Sequence, residues 1–197
     1  NTLVLLIMGA ITSFVLGIGM TVTAAYIFLA IVLAPALINA GLDPLAAHMF
    51  IMYWGMLSFI TPPVALAAFA AASVAQVSAM RAGWEAMRLG AIIYFIPFFF
   101  VFNPALLLQG EIGEAVILIS TALLGVALLS AGLQGYLLGF GRLGEGRIGL
   151  FGRGLVCVSG LALAAPSGGM LGYSQTMLLT ISAVLLIGGM GIAIMQR

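Results

Sequence analysis

From Asn1 to Met80 the chain carries a single charged side chain, Asp43, and the runs on either side of it are almost wholly apolar. That scarcity of charge constrains the fold more than any other feature. A soluble domain is about one-quarter charged residues; here charged residues make up 6% and hydrophobic ones 64%. Such a chain cannot cover its own surface with polar groups. Lipid removes the need, provided every backbone group finds a partner inside the protein. An all-α polytopic membrane protein is therefore expected. The formal net charge is +1 and every basic residue is arginine, which leaves too few cations to neutralise a run of phosphates and excludes a nucleic-acid partner. Cys157, the only cysteine, lies in an apolar run and reads as a helix-packing residue; an intrachain disulfide and a cysteine-only zinc site are excluded. The chain starts inside an apolar run without an initiator methionine, so it is expected to be part of a longer one.

A membrane-spanning helix needs about 20 apolar residues. Residues 2–16 and 24–39 both fall short of that, and Gly17-Ile18-Gly19-Met20-Thr21-Val22-Thr23 separates them. Two short arms joined by a Gly/Thr-rich break predict a re-entrant hairpin with its tip inside the membrane. Ala40-Gly41-Leu42-Asp43-Pro44 then reads as a helix stop followed by an Asp N-cap and a first-turn proline. The next helix runs over 44–56, is interrupted from Gly55 to Pro63, and resumes over 64–75. Pro62 and Pro63 donate no N–H, so this is a spanning helix broken near its centre. In 77–89, Arg81, Glu85 and Arg88 share one helical face and Met80, Trp84 and Met87 another, predicting an amphipathic helix at the membrane interface.

Further spans are expected at 90–108, irregular around Pro97 and Asn103-Pro104, then at 115–140 and 174–195. A short acidic loop is expected over 109–114, a Gly/Arg loop over 141–153 and a short apolar run over 154–165, abutting Pro166-Ser167-Gly168-Gly169. The division expected is 1–76 for hairpin and broken helix, 77–110 for the interfacial helix and its following span, and 111–197 for additional C-terminal helices. The positive-inside rule places Arg81, Arg88, Arg142, Arg147, Arg153 and Arg197 in the cytoplasm. Asp43, Glu111, Glu114 and Ser174 then face outward, and the hairpin enters and leaves from outside.

The two breaks at membrane depth are the candidate site. Half-helix N-termini favour anions, and carbonyls freed from helical pairing coordinate Na⁺. The candidate substrate- and ion-binding residues are Gly17, Gly19, Met20, Thr21 and Thr23 in the first break and Gly55, Ser58, Thr61, Pro62 and Pro63 in the second. Between Asn1 and Gly110 the only acids are Asp43 and Glu85, both expected at interfaces, so a bound Na⁺ would use neutral oxygens, from Gly17, Gly19, Gly55 and Thr61. The bland alternative is that the glycines and prolines only kink packed helices. His48, the sole histidine, reads as an interfacial residue hydrogen-bonded to its own hairpin loop, with a pH-sensing or proton-relay role as the alternative. The run 95–102 reads as aromatic packing, and Gly188-Gly189-Met190-Gly191 as small-residue helix packing.

Four motifs carry a resemblance over residues 16–109: Gly17-Ile18-Gly19-Met20-Thr21-Val22-Thr23-Ala24-Ala25-Tyr26, Gly41-Leu42-Asp43-Pro44-Leu45-Ala46-Ala47-His48, Ile60-Thr61-Pro62-Pro63-Val64-Ala65 and Asn103-Pro104-Ala105-Leu106. Together they resemble the C-terminal half of the large permease subunit of tripartite ATP-independent periplasmic (TRAP) transporters. The wording is most similar to the fused TAXI-type branch, and residues 111–197 resemble the extra helices some fused members carry. Val22 departs from the proline many members have. The resemblance implies an elevator-type half of a secondary transporter in the bacterial inner membrane, coupled to Na⁺ and with no other cofactor. It implies import of a small organic anion or amino acid, delivered by a periplasmic solute-binding protein. The implied neighbours are the N-terminal remainder of the permease, including small-subunit helices, and membrane lipid. The rival expectation is a membrane scaffold holding a partner subunit without a solute site. A membrane-embedded hydrolase is disfavoured: there is no intramembrane acid pair, and no serine has a credible base except distant His48.

Overall fold

The computed structural model describes residues 2–168 and 172–196, and they form two compact units, Asn1–Leu107 and Leu108–Arg197. The first unit contains α1 (Thr2–Gly17), α2 (Val22–Val32), α3 (Ala34–Asn39), α4 (Pro44–Met56), a 3-10 turn (Leu57–Phe59), α5 (Leu66–Ala75) and α6 (Ala79–Leu89). It continues through a 3-10 turn (Ala91–Tyr94), α7 (Ile96–Phe102) and a last 3-10 turn (Pro104–Leu107). Helix α4 is its centre: α1, α2, α3 and α7 all pack on it. Its N-terminus is built as the sequence suggests, Asp43 Oδ1 accepting from the Ala46 N–H at 2.9 Å with Pro44 at the first helical position. Ala46, Ala47, Phe50 and Ile51 of α4 are fully buried, as are Leu6 of α1, Leu29 of α2 and Leu37 of α3. The aromatic run packs as expected, Phe98 meeting Phe50 edge-on at 5.2 Å and Trp54 at 5.8 Å.

The second unit contains α8 (Ile112–Gln134), a two-stranded hairpin of β1 (Tyr136–Leu137) and β2 (Gly141–Arg142), α9 (Gly146–Ala164) and α10 (Gln175–Met195). These three helices are long and apolar enough to cross a membrane. Helix α9 packs on both others. Among lipid tails there is no hydrophobic drive between helices, so small residues must let the backbones approach. A Cβ added at Gly160 would lie 2.6 Å from the Gly125 carbonyl oxygen, and one at Gly189 would lie 2.7 Å from that of Gly152. Buried Ser159 Oγ donates to the Ser182 carbonyl at 2.8 Å, tying α9 to α10. Cys157 Sγ lies 3.8 Å from the Leu129 carbonyl oxygen, as a packing residue would.

Five expectations are corrected. The returning hairpin arm is not one run: it divides at Leu33, just before Pro35, which has no N–H to continue the ladder. The 90–108 segment is a seven-residue helix between two 3-10 turns, because Pro97 and Pro104 interrupt it; Asn103, before Pro104, is extended at φ −145° and ψ 104°. The 115–140 span ends at Gln134, where Gly135 takes φ +72° and the chain turns into the β-hairpin. The 141–153 loop and the short run after it are largely one helix, α9, which includes Arg147 and Arg153. A helix can carry Arg153 here because its Nε and Nη2 donate to the Gly132 and Leu133 carbonyls at 3.0 and 2.6 Å, satisfying the end of α8. Helix α8 also begins within the expected acidic loop, with Glu114 in its first turn. Asn1, Gly169 and Arg197 lie outside the described residues.

Candidate functional site

Helix α1 ends at Gly17 and α4 ends at Met56, and the two ends meet. The last carbonyls of a helix have no partner within it. Ser58, in the 3-10 turn after α4, donates its hydroxyl to the Gly17 carbonyl at 2.9 Å and reaches the Gly55 carbonyl at 3.4 Å. The approach requires glycine at position 17, where a Cβ would collide with the Gly55 carbonyl oxygen. Gly17, Gly55 and Ser58 are all buried. Two helix C-termini, each with partial negative charge, are thereby brought to one hydroxyl.

Beyond Ser58 the chain closes on itself. The Ala65 N–H donates to the carbonyls of Ser58 at 3.0 Å and Thr61 at 3.1 Å. Ala65 has a left-handed φ of 36°, a conformation that costs a non-glycine residue about 1–3 kcal/mol and persists only where its surroundings impose it. Buried Thr61 donates to the Leu57 carbonyl at 2.7 Å and shares a 2.6 Å hydrogen bond with the Tyr94 hydroxyl. Pro62 rests on α6: a Cβ at Gly83 would stand 2.7 Å from its Cγ. Pro63 is exposed. An apolar cleft of ≈ 240 Å³ opens beside the break, between Val22 at the start of α2, Leu57, Phe59 and Ile60, and Ile93.

The hairpin tip is less enclosed. Gly19 turns the chain at φ +86° in open space. Thr21 is the N-cap of α2, its hydroxyl accepting from the Ala24 N–H at 3.3 Å; Thr21 and Thr23 are exposed and Met20 half-buried. Of the residues singled out in the sequence, Gly17, Gly55 and Ser58 form one cluster, Thr61 and Pro62 lie in the adjoining loop, and Gly19, Thr21 and Thr23 stand at the open tip. Tyr94 and Gly83 escaped the sequence reading. A tyrosine inside an apolar run usually needs a hydrogen-bond partner, which was the available signal for Tyr94; nothing local marks Gly83. His48 bonds not to its own loop but to Tyr26 of α2, whose hydroxyl lies 3.0 Å from Nδ1.

Residues 1–114, more than half of the chain, match the family DctM, described as the DctM component of the tripartite ATP-independent periplasmic transporter. The chain belongs to the DctM family. It is TRAP large-permease sequence, and with its long apolar helices it is a multi-pass membrane protein. No curated protein and no solved structure matches it. The DctM match takes in the whole first unit, so the Gly17–Ser58–Gly55 junction lies inside it, and it stops within the first turn of α8.

Proposed function

We propose that the first unit forms one half of the solute and ion site of a Na⁺-coupled importer in the bacterial inner membrane, working by an elevator movement. The solute is a small organic anion or amino acid delivered by a periplasmic binding protein. The observation that carries this reading is the junction of Gly17, Gly55 and Ser58, where neutral oxygens converge at the negative ends of two helices. Each carbonyl oxygen has two lone pairs, and one hydroxyl bond leaves a second for a hard monovalent cation. The uncapped start of α5 and the Thr21-capped start of α2 are the positive ends that favour a carboxylate. The fused TAXI-type arrangement belongs to the same reading, and so does the orientation with the arginines in the cytoplasm.

Sodium-dependent uptake by the full permease tests it. Thr61→Val replaces a hydroxyl by a methyl of similar size. It should raise the sodium concentration for half-maximal uptake by about tenfold, the scale of one lost interaction with a charged group. Because Thr61 also holds Tyr94, Tyr94→Phe is the companion variant: it removes the same 2.6 Å bond but keeps the threonine, and should leave sodium dependence near wild type. Asp43→Asn should also do little to it. Wild-type sodium dependence in Thr61→Val would remove Thr61 from the ion site, and loss of it in Asp43→Asn would move that site to the outer interface.

A further inference from the structure

Among the described residues, the end of the second unit where α8 stops and α9 starts holds three arginines, Arg142, Arg147 and Arg153, and one carboxylate, Glu145. Arg153 is the unusual member. It is partly buried, and its two hydrogen-bond partners are neutral carbonyls, those of Gly132 and Leu133. Among the described residues no carboxylate forms an ion pair with it, and its Nη1 donates to no protein acceptor. A guanidinium presents five N–H donors in a fixed fork, so donors remain after those two bonds. Gly135 covers the group with backbone alone; a Cβ there would lie 2.9 Å from Cζ and 3.1 Å from Nη1.

Arg153 lines a cleft of ≈ 220 Å³ together with Gly135, Tyr136, Arg142 and Glu145. Among the described residues Arg142 pairs with Glu145, at 3.1 Å, with both side chains about four-fifths exposed (82% and 79%). A pair that exposed is weak and gives way readily to a better anion. The cleft lies at the ends of two helices long and apolar enough to cross a membrane; the ends of such helices reach headgroup depth, where tyrosines like Tyr136 are enriched. Basic pockets between helix ends suit lipid phosphates.

We propose that this cleft binds the phosphate of an anionic glycerophospholipid, with the Arg153 Nη1 and the Arg142 guanidinium donating to its oxygens and Glu145 competing for Arg142. Two cations facing one ligand favour a lipid with net negative charge over a zwitterionic one, whose ammonium group would meet the same field. The acyl chains run along the helices, so the ligand comes from the bilayer and not from solution. This assignment stands apart from the transport reading, because every residue in it lies beyond residue 114.

The test is native mass spectrometry of the full chain released from nanodiscs with equal phosphatidylglycerol and phosphatidylcholine. Wild type should retain phosphatidylglycerol preferentially. Arg142→Gln should lower the preference by about fivefold, the scale for one arginine near a lipid surface. Glu145→Gln should raise it, since the competing carboxylate is gone. Arg153→Gln also uncaps α8, so the decision rests on the two exposed variants, which leave the helix junction intact. Equal retention of the two lipids by wild type overturns the proposal, as does an unchanged ratio in both Arg142→Gln and Glu145→Gln. Excess inorganic phosphate should leave the enrichment in place; its loss would assign the cleft to the free anion and overturn the lipid.

Discussion

Gly17 and Gly55 look equivalent in the sequence, two glycines at two breaks, yet their surroundings set them apart. A methyl at position 17 meets a backbone carbonyl that cannot move without opening the junction, whereas one at position 55 meets Leu29 Cδ1 at 3.9 Å and Ala25 Cβ at 4.0 Å, ordinary contact. Gly17→Ala should therefore destabilise the protein by about 1–3 kcal/mol, the scale of overpacking, and Gly55→Ala should be close to neutral. Ser58→Ala should cost about 1 kcal/mol or somewhat more, since it removes the donor from the buried Gly17 carbonyl. Thermal unfolding of the detergent-solubilised protein ranks the three. A Gly55→Ala variant as damaged as Gly17→Ala would contradict the geometry. The sequence marks these glycines as permissive, but which one is obligatory depends on a neighbour 38 positions away.

At the scale of elements, helix α9 shows what a lipid-embedded helix requires of its glycines. Gly160 faces α8, where an added Cβ would stand 2.5 Å from the Leu129 nitrogen; Gly154 has nothing within 4 Å. Gly160→Ala should lower stability by about 1–3 kcal/mol, while Gly154→Ala should be neutral or stabilise by up to about 1 kcal/mol through helix propensity. Denaturation of the two variants side by side checks the pair, and equal effects would mean that α9 does not present these faces. Helix α6 is the other instructive element. Its amphipathic pattern is readable from Arg81, Glu85 and Arg88, and Arg88 does pair with Glu85 at 2.7 Å. That its buried Gly83 seats Pro62 of the break is not readable, because contact between a surface helix and a proline loop leaves no periodic trace.

For the whole molecule, the positive-inside rule applied to the arginines predicts a sidedness that labelling can test in a Cys157→Ala background. Ile112→Cys, at the exposed start of α8, should react with an impermeant reagent only from outside. Leu138→Cys, 93% exposed in the hairpin after α8, should react only from the cytoplasm, as should Val77→Cys ahead of α6. Reaction of Ile112→Cys from the cytoplasmic side alone would invert the proposed topology.

Near-absence of charge points to a lipid environment, and continuous apolar runs without alternation point to helices within it, whatever the tertiary arrangement. Asp43 and Pro44 place the start of α4, and Pro62 and Pro63 place its break, through local chemistry that needs no partner. The helix α9 boundary is another matter: Arg153 looks like a loop residue until α8 supplies the Gly132 and Leu133 carbonyls. Likewise, the Gly17, Ser58 and Gly55 junction and the Thr61–Tyr94 bond join residues 41 and 33 positions apart. A sequence states which groups are left without partners where a helix stops. Which groups then answer one another depends on helix ends meeting in space, and only the tertiary structure decides that.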